Sequence, residues 1–161
     1  MTLVAVPLHY EDGSFQEFKQ DTQEQVEVFL EKTPLGELDN PRSRIEVKYL
    51  RPNEVENPET TECGRLNMHA KDVVLDSQHR NSFDKIIATT TDFQKPGLLG
   101  CAYPYSNMEV TLNSHPKTMA HEMAHAFGVG HTTGYMNGCG AERGNTDYLN
   151  DAESDGAGEI M

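Results

Sequence analysis

One stretch constrains the whole chain: Ser114-His115-Pro116-Lys117-Thr118-Met119-Ala120-His121-Glu122-Met123-Ala124-His125-Ala126-Phe127-Gly128-Val129-Gly130-His131. Pro116 has a fixed φ and no amide hydrogen, which suits the first turn of a helix, with Ser114 or His115 before it as the cap. Met119, Ala120, Met123, Ala124 and Phe127 then recur at three- and four-residue intervals, the pattern of an amphipathic helix lying on a core. His121 and His125 are four apart and share one face of that helix. Gly128 stands where the pattern stops, and a residue without Cβ turns there cheaply to reverse the chain.

That reversal can carry His131 back toward the two helical histidines. Three neutral imidazoles suit a zinc ion and leave its fourth tetrahedral position open, as a catalytic site requires and a structural site does not. Glu122 lies about 100° around the helix from His121, so its carboxylate can reach a water at the metal without occupying the metal. Its expected role is general base, taking the proton of that water and passing it to a leaving amine. At this chain's own His, Glu and Gly frequencies a shuffled sequence would hold the pattern H-E-x-x-H-x-x-G-x-x-H roughly once in ten thousand tries. The chemistry therefore outweighs a helix that merely carries histidines.

With His121-Glu122-Met123-Ala124-His125-Ala126-Phe127-Gly128-Val129-Gly130-His131 the chain resembles the metzincin clan of zinc endopeptidases. The resemblance implies His121, His125 and His131 as zinc ligands, Glu122 as general base, protein or peptide as substrate, and a later methionine in a tight turn beneath the metal. Two residues are candidates for that methionine. Met136 follows His131 by only five residues, whereas Met161, in Gly158-Glu159-Ile160-Met161, has the more usual Ile-Met pattern and the greater reach. The clan also implies a further helix after the turn, and secretion. Tyr135 is a candidate oxyanion donor, or a half-buried loop aromatic.

The elements before the motif fit an α+β fold. Thr2 to His9 is an apolar, β-branched run ended by Tyr10-Glu11-Asp12-Gly13, a strand and a turn rather than a secretory signal. From Asp21 or Thr22 as cap, Val26, Phe29 and Leu30 mark a helix reaching about Lys32. Ile45 to Leu50 alternates as a half-buried strand, and Asn53 to Asn67, with its prolines and acids, reads as a surface loop. Lys71 to Arg80 is a short strand or a helical turn, which its period does not separate. Lys85 to Thr91, Leu98 to Pro104 and Met108 to Leu112 read as three more strands, Pro104 placing the end of the second at a sheet edge.

By the resemblance these elements form an upper subdomain of about residues 1–130, a twisted mixed sheet of α/β type with a backing helix and the zinc-binding active-site helix beneath. The strand around Gly100 to Tyr103 would then line the cleft and hold an extended peptide by main-chain hydrogen bonds. A small lower subdomain of about residues 131–161 would complete a single catalytic domain. Asp151-Ala152-Glu153-Ser154-Asp155-Gly156 matches the first half of a calcium-loop spacing, so calcium in that segment is a second cofactor expectation beside a solvated acidic loop.

The formal net charge of -13 argues against nucleic acid or an anionic membrane as partner. A mean hydropathy of -0.64 accompanies the absence of any apolar run near the ~20 residues of a membrane span. Cys63, Cys101 and Cys139 permit one disulfide and a free thiol, or three thiols. Cys63-Gly64-Arg65 is similar to the inhibitory cysteine of some metalloprotease propeptides, although too few residues separate it from His121 to place a complete sheet between them. Two alternatives to a working protease are a zinc-bound module that holds peptides without cutting them, and a latent enzyme with a cysteine or acidic segment in the open metal position. Nothing in the pattern sets the oligomeric state.

Overall fold

The computed structural model describes residues 1–93, 99–102, 108–112 and 115–126. Their strands are β1 (Thr2–Leu8), β2 (Glu46–Tyr49), β3 (Lys85–Thr90), β4 (Gly100–Ala102) and β5 (Met108–Leu112), and their α-helices are α1 (Phe15–Lys32), α2 (Cys63–Asp76) and α3 (Pro116–Ala126). All five strands join one sheet in the order β2-β1-β3-β5-β4. β2, β1, β3 and β5 run parallel to their neighbours, and β4 pairs antiparallel with β5. The α+β expectation therefore holds, with the mixed sheet closed at one edge by the short β4.

Chain direction explains the layers. The step from β1 to β2 goes one way across the sheet and the step from β2 to β3 goes back past β1, so right-handed crossovers place α1 and α2 on opposite faces. β1 is buried on both sides accordingly: Leu3 and Ala5 join Phe18, Phe29, Met119 and Met123 on the α1 and α3 face. Val4, Val6 and Leu8 join Leu66, Ala70 and Val74 on the α2 face. Near-continuous apolar strands of this kind belong to parallel sheets covered by helices on each side. Among the described residues no helix is long and apolar enough to cross a membrane.

Two helices differ from the expectation, for one reason. α1 begins at Phe15 rather than after Asp21 or Thr22, and both Thr22 and Gln25 are fully buried within it. Polar residues at two inward positions interrupt the apolar stripe that would have revealed the first two turns. Similarly, the stretch read as a loop up to Asn67 contains the start of α2, and the ambiguous stretch after Lys71 is its continuation. Asn67 is buried and Met68 exposed, the reverse of what a hydrophobic pattern assumes. Gln25 is accommodated because Thr89 on β3 donates to its Oε1 at 3.0 Å.

A disulfide joins Cys63, the first residue of α2, to Cys101 in the middle of β4, with Cα atoms 6.2 Å apart. This settles which of the described cysteines pair and rules out Cys63 as a free inhibitory thiolate; Cys139 lies outside the described residues. The bridge spans 38 residues of sequence, and closing a loop of that length removes about 4 kcal/mol of unfolded-chain entropy. Replacing both cysteines, as Cys63→Ala/Cys101→Ala, should lower the unfolding free energy by about 2–4 kcal/mol in urea titrations. A change below about 1 kcal/mol would mean that the unfolded chain is not restrained by the bridge.

Candidate metal centre

α3 follows β5 and begins at Pro116, with His115 before it accepting a hydrogen bond from the Thr118 amide at 3.0 Å. Of the two expected caps, His115 takes the position next to the helix, and Ser114 lies outside the described residues. Met119, Ala120, Met123 and Ala126 pack into the core shared with α1 and the sheet. With the helix rotation set by those four, His121 and His125 are brought together on another face. Both are buried, at 1% and 6% exposure.

The two imidazoles meet edge to face, with centroids 4.6 Å apart and planes at 89°. Their Nε2 atoms lie 3.0 Å from one another. That separation suits either one hydrogen bond between opposite tautomers or two ligands on a shared cation. With zinc–nitrogen bonds of about 2.0–2.1 Å it subtends an angle of roughly 95° at the ion, within reach of tetrahedral geometry after a small adjustment of the rings. The donor set therefore fits zinc. Among the described residues no group of three His, Cys, Asp or Glu surrounds a common point. His131, the expected third ligand, lies outside the described residues, as do Met136, Met161, Tyr135 and the acidic segment considered for calcium.

Glu122, between the histidines in sequence, is buried at 1% exposure. β4, with Ala102, lies against this part of α3. The Glu122 Oε1 has no hydrogen-bond partner among the described residues. Burial pushes the carboxyl pKa up from 4.5 to about 8, and the Ala102 amide opposes that rise by favouring the ion. A cation held by the adjacent histidines would oppose it further, since a nearby positive charge also favours the carboxylate. A carboxyl group whose pKa is raised toward about 8 is suited to receive and return a proton.

Lys85, at the start of β3, completes the setting. Its Nζ donates to the Ala126 carbonyl at the end of α3 over 2.8 Å, satisfying one of the acceptors that a helix end leaves open and placing a cation at the negative end of the helix dipole. Burial holds the Lys85 pKa below the usual lysine range, with Asp84 acting in the opposite direction. The sequence displayed Lys85 only as the first residue of a strand. The contribution of Ala102 comes from its backbone and has no side-chain signature at all.

No family model and no curated protein matches the chain. Among solved structures it is similar to metalloproteinase-II from Bacteroides fragilis, with 18% sequence identity and a TM-score of 0.49, over 82% of this chain and 43% of that one. The chain thus spans less than half the length of that structure.

Two outcomes test this geometry without any catalytic assay. In metal-free protein the folded state retains the Glu122 proton between about pH 4.5 and 8, whereas the unfolded chain releases it near 4.5. Stability should therefore fall as pH rises through that window, and Glu122→Gln, which cannot ionise, should flatten the decline when urea midpoints are compared at about pH 5 and pH 8. Lys85→Met keeps most of the apolar stem and removes the donor to Ala126. It should cost about 1–2 kcal/mol of unfolding free energy in the same titration.

Proposed function

We propose that the chain is a zinc-dependent endopeptidase, with zinc held by His121, His125 and His131 and with Glu122 as general base. The observation that carries this reading is the convergence of two buried imidazole nitrogens at 3.0 Å on a helix that also buries the carboxyl group between them in sequence. A helix built only for packing has no reason to bury three ionisable side chains within five residues, because each loses hydration that must be replaced. The spacing to Gly128 and His131 adds the expected third ligand.

When bound, zinc supplies Lewis acidity that polarises a scissile carbonyl and acidifies water. The protein's own groups do the rest. His121 and His125, rigid on a packed helix, orient the site, and their burial keeps competing solvent from their ring nitrogens. Glu122 accepts a proton on the attacking water's side and delivers it to the nitrogen of the departing amine. Among the described residues β4 is the last strand of the sheet, with β5 as its neighbour, so an extended peptide can add there as a further strand. Proteins and peptides are therefore the proposed substrates.

The Cys63–Cys101 bridge supports action in an oxidising compartment. It also weakens the latent alternative, because a disulfide sulfur cannot serve as the blocking thiolate. Retention of Glu122 likewise favours turnover over passive peptide binding.

Zinc content by mass spectrometry and cleavage of denatured protein mixtures test the reading together. Glu122→Ala should keep zinc at wild-type stoichiometry and lower hydrolysis by about 10²–10⁴-fold. His125→Ala should lose both metal and cleavage, and a chelator should silence the wild-type protein. Cleavage undiminished in Glu122→Ala would rule out the proposed base.

A further inference from the structure

We propose that the Cys63–Cys101 disulfide is a reversible thiol–disulfide switch, with Asn67 of α2 placed to receive its reduced form and β4 as the element that reduction releases. Asn67 is 1% exposed and lies one turn along α2 from Cys63. Its Nδ2 donates to both sulfurs of the bridge, to Cys101 at 3.3 Å and to Cys63 at 3.8 Å. Its Oδ1 is buried and has no hydrogen-bond partner among the described residues. A disulfide sulfur carries no hydrogen, so the oxidised bridge accepts from Nδ2 and offers Oδ1 nothing. In the reduced pair one S–H can donate to Oδ1 while the other sulfur, as thiol or thiolate, accepts from Nδ2. The Asn67 amide is thus fully matched only beside the reduced pair, and a buried acceptor left unpaired disfavours the oxidised state.

The bridge is also placed to exchange. Cys63 and Cys101 are both half-buried, within reach of a small thiol. Cys63 is the first residue of α2, whose N-terminus has no side-chain cap, and a helix N-terminus favours a thiolate. The charge of neighbouring Glu62 is offset by Arg65, 3.1 Å away. An attacking thiolate therefore bonds to the Cys101 sulfur and expels Cys63 as thiolate. A second thiolate then attacks the incoming sulfur of the mixed disulfide and releases Cys101. Two thiols of the reductant become one disulfide, and their two electrons and two protons end on Cys63 and Cys101. β4 loses its covalent tie to α2 in that step. It keeps three pairs with β5, Gly100 with Thr111, Cys101 with Val110 and Ala102 with Glu109. A strand so short is weakly held by its ladder, so it opens locally while β1 and β3, buried on both faces, stay closed. Reduction also weakens the binding of an extended peptide to β4, a consequence that rests on the proposed strand addition there.

The test equilibrates the folded protein, without oxygen, in a glutathione buffer at the cytosolic poise. Differential alkylation and peptide mass spectrometry then read Cys63 and Cys101 separately from Cys139. A structural disulfide stays oxidised under those conditions. The expected result is about half or more of Cys63 and Cys101 as thiols, with the bridge restored by oxidised glutathione. Asn67→Leu removes both amide functions at similar volume and should make reduction at least about tenfold less favourable. A wild-type bridge that stays more than about nine-tenths oxidised, or a variant within about twofold of wild type, would overturn the proposal.

If Asn67→Leu does not fold, Asn67→Ala takes its place, and the wild-type equilibrium needs no variant at all. Amide hydrogen exchange on the oxidised and reduced wild type, read by NMR, follows the released element. Exchange across Gly100–Ala102 should rise at least about tenfold on reduction while the amides of Val4 to Val6 keep their protection. Equal rates at β4 in the two forms would overturn its part in the switch. With a peptide substrate, KM should rise about tenfold on reduction and kcat stay within about twofold. An unchanged KM beside the expected redox and exchange results would count against strand addition at β4 alone, because neither of those measurements needs turnover.

Discussion

Everything at the site depends on the packing of α3. Met119, Ala120, Met123 and Ala126 are buried against α1 and the sheet, and this fixes the helix in rotation about its axis. At about 100° per residue, a slip by one position would carry His121 and His125 away from their common point and draw Glu122 off β4. The histidines can remain close together because hydrophobic contacts elsewhere, not attraction between two imidazoles, hold the backbone. The pattern is general: a demanding polar arrangement is tolerated where a larger apolar surface leaves the chain no alternative.

The setting extends that restraint to both ends of the helix. Pro116 opens α3 without an unsatisfied amide of its own, and Lys85 closes it through the Ala126 carbonyl. Between them, β4 lies against the helix. Two parts of the sheet, the start of β3 and β4, thus bear on eleven helical residues.

Much of this was legible in the chain, for reasons that can be named. The pattern of the histidine-bearing helix is local: its apolar period, its proline and its histidine spacing all fall within a few turns, and α3 forms over described residues that the pattern indicates. β1 and β3 were equally plain, because strands buried on both faces are written as short apolar runs bounded by turns, and β5 forms over the alternating stretch Met108 to Leu112. The hidden parts involve polar groups in apolar positions. Thr22 and Gln25 masked the beginning of α1, and Asn67 beside the exposed Met68 masked α2. Lys85 was invisible for another reason. Its partner, Ala126, lies 41 residues along the chain, and no local period records such a meeting.

The buried polar residues that obscured the pattern are themselves informative. Gln25 is paired with Thr89 on the same side of the sheet as α3, and Asn67 lies against the disulfide on the other. A chain selected only for a tight core would have placed aliphatic residues at both points, with no desolvation to offset. Asn67 instead gives α2 a directional contact with Cys101, in the middle of β4. A hydrogen bond and a covalent bridge add direction to the apolar packing between α2 and β4. The polar exceptions thus fall where helix meets sheet, Gln25 between α1 and β3 and Asn67 between α2 and β4.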